Sequence, residues 1–124
     1  MVKALKSFKG GVKPGHYKQT SELKTVEMPL PSKVVIPMLH HIGAPCAPIV
    51  KKGDRVLVGQ KIGDSDKMIS APVHSSVSGT VSEIKTVLFS GGFEVPAVEI
   101  EPDGLQEVHE SVRPPECHDR ESMI

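Results

Sequence analysis

The sequence predicts a small all-β domain, a sandwich or barrel of short strands. Three observations carry this. Apolar runs of strand length recur at near-regular spacing through residues 33–101, clusters of Gly, Asp and Ser separate them, and no helical periodicity precedes residue 115. A chain of 124 residues suits one domain, because cores below roughly 70–80 residues are marginal without staples. With Phe8, Tyr17, Phe89 and Phe93 as the only aromatics and no Trp, the core has to come from Val, Ile, Leu, Met and Ala.

Residues 1–32 hold Gly10, Gly11, Pro14, Gly15, Pro29 and Pro31 with little periodicity. They read as an extended, irregular arm lying along the core. At 33–39, KVVIPML has apolar residues on both sides, which predicts a strand buried on both faces. Pro37 has no N–H to give and moves that strand toward an edge or its end. Lys51-Lys52-Gly53-Asp54 has turn chemistry: Gly takes positive φ and Asp bonds back to the backbone. Beyond it, Val56, Val58 and Ile62 fall on one side and Arg55 and Lys61 on the other, a half-buried strand bent or bulged at Gly59. ISAPVHSSVSGTVSEI, 69–84, repeats that plan as two short strands meeting at a corner. Residues 85–101 read as a hairpin with Ser90-Gly91-Gly92 at its tip, and its second strand alternates Val98 and Ile100 with Glu99 and Glu101, which predicts one wet face. Pro114-Pro115 stops the β region, and Asp119 could cap a helix starting at Arg120. The expected division is arm 1–32, β domain 33–104, and linker with the start of a helix 105–124.

Fifteen basic and fifteen acidic side chains cancel, which argues against gathering nucleic acid or coating an anionic membrane by charge alone. The basic residues crowd the first third, where they suit either a solvated flank or a partner surface. Cys46 and Cys117 lie too far apart for a metal spacing and read as free thiols. Cys117-His118 offers two adjacent ligands that point apart on an extended chain. With no signal peptide and no run of about 18 apolar residues, a cytosolic setting without a membrane span is expected.

VKKGDRVLVGQKIG followed by SAPVHSSVSGTVSEI resembles the biotinyl/lipoyl type of barrel-sandwich hybrid, in which two similar strand pairs are related by a pseudo-twofold. The second pair departs by a longer run, HSSVS, between Val73 and Gly79. Each half has one apolar face too small to stand alone, and the two faces bury each other. FKGGVKP, with Phe8, Gly10, Gly11 and Pro14, then HIGAPCAPIVKKGDRVLVGQKIG and SAPVHSSVSGTV in the same order, are similar to the N-terminal domain of the C-subunit family of the Rnf electron-transport complex, over residues 6–104. That resemblance implies part of a peripheral subunit on the cytoplasmic face of the bacterial inner membrane, in a complex that moves electrons between ferredoxin and NAD and couples them to ion transport. It implies 4Fe-4S clusters, FMN and NADH in the parent subunit, downstream of this domain, and other subunits as partners. The chain has no Gly-rich phosphate loop and no cluster-binding cysteine run, so no cofactor residue of the family carries over. The expectation is a non-catalytic docking domain of an oxidoreductase complex, with no catalytic, metal or cofactor residue of its own and with the Lys-rich arm and strand edges as contact surfaces.

The alternative is a lipoyl or biotin carrier modified on Lys67. Asp66-Lys67-Met68 faintly resembles the lipoyl Asp-Lys-Ala, but only Met68 to Ser70 separate Lys67 from Ala71-Pro72, and the Met-Lys-Met of biotin carriers is missing. His40, His41 and His74 are the remaining metal-ligating candidates. Adjacent His40 and His41 point to opposite faces, so at most one joins His74, and two ligands do not define a site. Ser75, Ser76 and Ser78 read as turn residues, with no acid-base partner placed to activate a hydroxyl.

Overall fold

The structure, a computed structural model, describes residues 15–114. The expected helix start at Asp119 and Arg120, Cys117 and the first fourteen residues of the arm lie outside the described residues. Seven strands follow in order: β1 (Val34–Pro37), β2 (Ala47–Pro48), β3 (Arg55–Val56), β4 (Lys61–Asp64), β5 (Val73–His74), β6 (Gly79–Leu88) and β7 (Glu94–Pro102). The described residues are all strand, turn and loop, as the sequence predicts. One sheet has the order β1-β7-β6-β3 and the other β2-β4-β5, with every neighbouring pair antiparallel. Ile36, Met38, Val56, Ile62, Val81 and Val98 anchor one apolar cluster, so each sheet covers a face that the other could not leave wet.

Turn chemistry sets the register. Lys51 N–H donates to Asp54 Oδ2 at 2.7 Å, and Gly53 sits at φ 92°, where a side chain would strain the backbone. Gly53 N–H donates to Val81 O and Val81 N–H to Asp54 O, which fixes the turn against β6. At Gly59 the chain makes a corner between β3 and β4, closed by Gln60 N–H to Leu57 O at 3.0 Å and by Leu57 N–H to the Gln60 side chain at 2.9 Å. The β6–β7 hairpin turns over Ser90-Gly91-Gly92 as expected, with Phe89 and Phe93 packed ring on ring, centroids 5.8 Å apart.

Two strands differ from the sequence reading. The pattern at 33–39 predicts burial on both faces, yet in β1 only Ile36 is buried and Val35 is 37% exposed. The reason is its place at the sheet edge. Val34 and Ile36 pair with Ile100 and Val98, and Met38 N–H continues that ladder to Pro96 O. Alternation then turns the Pro37 nitrogen, which has no hydrogen to give, toward the open side.

The second correction concerns β7, for which alternation predicts a wet face. Ala97 through Ile100 are all buried, Glu99 among them. Its carboxylate is held by Lys33 Nζ at 2.8 Å, by Lys85 Nζ and by Ser82 Oγ–H at 3.0 Å. The β6 irregularity between Val81 and Glu83 brings Ser82 and Lys85 over it. These partners, the Lys33 ammonium first, hold the Glu99 pKa at about 2 instead of 4.5. The sign is that of a depressed carboxyl: its stabilisation is complete above pH 4.5 and is lost as pH falls toward 2. We expect the Tm of wild type to drop across that window and the Glu99→Gln profile to be flatter there. Parallel profiles in scanning calorimetry would contradict the assignment.

Candidate functional site

Two loops meet at one end of the sandwich. Residues 38–46 connect β1 to β2, and residues 65–72 connect β4 to β5. Ala44 N–H donates to Ile69 O at 3.0 Å, and the buried Cys46 thiol donates to Ala71 O at 3.1 Å. His41 Nε2 lies 3.1 Å from Ala44 O and 3.2 Å from Ala71 N, so it donates to the first or accepts from the second according to tautomer. Within the second loop Ser70 Oγ–H donates to Lys67 O at 2.8 Å and Lys67 N–H to Ser65 Oγ at 3.3 Å. The paired loops leave three apolar side chains in water: Ile42 (94% exposed), Met68 (99%) and Ile69 (66%). These are the apolar side chains that the two loops present to solvent.

Beside the tip runs a groove of about 510 Å³ between the β1 edge and β5, lined by Val34, Val35, His40, His41, Pro72 and His74 among others. The three sequence candidates His40, His41 and His74 are thus brought to one groove. His74 Nδ1 is 2.7 Å from Gly59 O and His41 is engaged as above; among the described residues no three His, Cys, Asp or Glu side chains are placed to hold a metal ion. A second groove of about 600 Å³ shares Val34, Val35 and Ser76, and is bounded by arm residues Glu27, Met28, Leu30 and Pro31. The arm is exposed throughout residues 15–30.

The polar candidates are mostly occupied by structure. Burial is the first cause that raises the Cys46 thiol pKa, with the Asp64 charge second, so the thiol stays protonated and inert. Asp64 is lowered, first by Lys61, whose Nζ lies 2.6 Å away. Ser75, read as a turn residue, is buried and donates to Val77 O at 2.7 Å. Ser78, read likewise, is fully buried and donates to Asp103 Oδ1 at 2.6 Å. Ser76 stays exposed. Lys67 is exposed in the β4–β5 loop, its Nζ 4.0 Å from Asp66 Oδ1. Sequence reasoning passed over Ile42, Met68 and Ile69; the available signal was three large apolar residues inside Gly-, Ser- and Pro-rich loops with no strand partner.

The profile of the RnfC barrel sandwich hybrid domain matches residues 6–105. The chain belongs to that family. Similar curated proteins are named as C subunits of ion-translocating oxidoreductase complexes. It is 45% identical over 113 residues to the C subunit of the Na(+)-translocating ferredoxin:NAD(+) oxidoreductase complex of Acetobacterium woodii, covering 87% of this chain and 25% of that protein. It is 44% identical over 109 residues to the C subunit of the proton-translocating ferredoxin:NAD(+) oxidoreductase complex of Clostridium ljungdahlii, covering 87% and 24%. Against the C subunit of the ion-translocating oxidoreductase complex of Rhodobacter capsulatus it is 39% identical over 101 residues, covering 79% and 20%. The chain therefore spans a quarter or less of the length of these RnfC relatives. No helix among the described residues is long and apolar enough to cross a membrane.

Proposed function

We propose that this RnfC domain is a non-catalytic docking module of a membrane electron-transport complex, seated peripherally on the cytoplasmic face and holding redox modules carried elsewhere in the complex against neighbouring subunits. The observation that carries this reading is the apolar tip: Ile42, Met68 and Ile69 stand exposed on two loops locked to each other, which is a preorganised contact surface. The similarity to C subunits of ferredoxin:NAD oxidoreductase complexes supports it. So does the commitment of His41, Cys46, Ser75 and Ser78 to structural hydrogen bonds. The relatives at 45% and 44% identity are named for different ions, which favours a role for this domain away from the ion path.

The test is assembly. In cells producing the whole complex, Ile42→Asp combined with Met68→Asp should reduce co-purification of this chain with the other subunits by roughly tenfold or more, the scale of a desolvated interface anchor. Deletion of residues 1–32 should weaken assembly too while 33–104 stays folded by circular dichroism. Unchanged assembly in the double variant removes the tip from the account.

The carrier reading of Lys67 keeps one observation in its favour, an exposed lysine in a loop between antiparallel neighbours β4 and β5. Against it, the loop is closed internally by Ser70 and is tied to the neighbouring loop through Ile69 O. Intact mass of the chain purified from its native host decides: a lipoyl or biotinyl increment on Lys67 supports the carrier, and the unmodified mass supports docking.

A further inference from the structure

After β7 the chain does not leave the domain directly. It folds back over the β3–β4 corner, where Ser78 and Arg55 hold it through side chains and a backbone bridge to Val58 holds it beyond them. Ser78 is fully buried and all of its polar atoms engage this returning segment. Its carbonyl accepts from Asp103 N–H at 3.0 Å. Its hydroxyl donates to Asp103 Oδ1 at 2.6 Å and accepts from Glu107 N–H at 3.1 Å. Its own N–H donates to the Gln106 side-chain oxygen at 3.4 Å. Arg55 reaches Glu107 at 2.6 Å and Asp103 at 3.5 Å. A short parallel bridge joins Val58 to Val108, with Val58 N–H donating to Glu107 O and His109 N–H to Val58 O, both at 2.9 Å.

The apolar side of this attachment is thin. Leu105, Val108 and Val112 remain 70%, 56% and 53% exposed, so the segment buries little, whereas the two sheets are held by a continuous apolar cluster. A segment with few buried apolar contacts opens at lower free energy than the core beneath it, and its Arg55 ion pairs are exposed. Lifting it exchanges the Ser78, Arg55 and Val58 bonds for bonds to water, at a small net cost for each bond. The segment also contributes to a groove: Gln106 lines the second groove together with Ser76, Val77 and arm residues Glu27, Met28, Leu30 and Pro31.

We propose that residues 103–112 form a latch: closed on Ser78 and Arg55, it completes the arm groove and fixes the direction in which the chain leaves the sheets, and it opens without unfolding them. The latch stands independently of the docking role. Its opening removes one side of the groove next to the arm.

Hydrogen exchange with mass spectrometry on the 124-residue chain tests this, comparing wild type, Ser78→Ala and Arg55→Gln. The expected result is exchange at least about tenfold faster at Leu105, Glu107 and His109 in both variants, with amides of residues 79–102 unchanged, the pattern of a local opening. Arg55 is exposed, so Arg55→Gln decides the matter should Ser78→Ala fail to fold. Unchanged exchange over 103–112 in Arg55→Gln, or a parallel rise across 79–102 in that variant, overturns the proposal.

Discussion

Gly79→Ala should cost about 3 kcal/mol of stability, the upper end of the range for overpacking, and lower the Tm by roughly 12–24 °C on the scale of a domain this size. Gly79 lies in β6 between Val56 of β3 and Pro102 of β7. A Cβ there would press into the Glu101 carbonyl oxygen and carbon and the Pro102 Cα. All three are backbone atoms of a central strand, so no rotamer change relieves the contact, and the β6–β7 ladder has to part. Gly53→Ala is the control. At Gly53 an added Cβ meets nothing within 4 Å, so only the left-handed backbone opposes it, at about 1–2 kcal/mol. Thermal unfolding followed by circular dichroism should rank the two variants in that order, and a Gly79→Ala shift smaller than that of Gly53→Ala would refute the steric account.

Such contacts explain why some of the fold was legible in the sequence and some was not. Local chemistry was readable: Gly53-Asp54 announced the turn that the Lys51 and Asp54 bonds close, Ser90-Gly91-Gly92 announced the hairpin, and Pro37 announced an edge strand. The two-sheet plan followed from the repeated short strand pairs and from motifs spread over most of the chain. What failed was any inference that needed a distant partner. Strict alternation in β7 puts Glu99 in water, but burial under Lys33 and Lys85, sixty-six and fourteen positions away by residue number, is invisible to a period-two pattern. Ser78 reads as a turn residue for the same reason, since Asp103, its partner, is 25 positions further on. The candidate site was least legible, because the exposed grouping of Ile42, Met68 and Ile69 exists only once two loops are locked side by side.

Ile100→Ala is the other large effect. Ile100 is fully buried on β7, an inner strand, flanked in register by Val34 of β1 and Val81 of β6. Removal of a buried Ile side chain costs about 2–5 kcal/mol, depending on how far the surroundings collapse into the cavity. Collapse is difficult here. The neighbours are β-branched residues stiff at χ1, fixed on paired backbones, and the described core contains no aromatic ring able to tilt into the space. We therefore expect about 4 kcal/mol, a large part of the 5–15 kcal/mol that holds a typical domain, read as a fall in the urea midpoint at constant m-value. Ile100→Val, which keeps the branched Cβ, should cost about 1 kcal/mol. If the alanine variant loses no more than the valine variant, Ile100 does not fill the seam between the sheets, and the mutual shielding of two half-stable layers is not what holds this domain together.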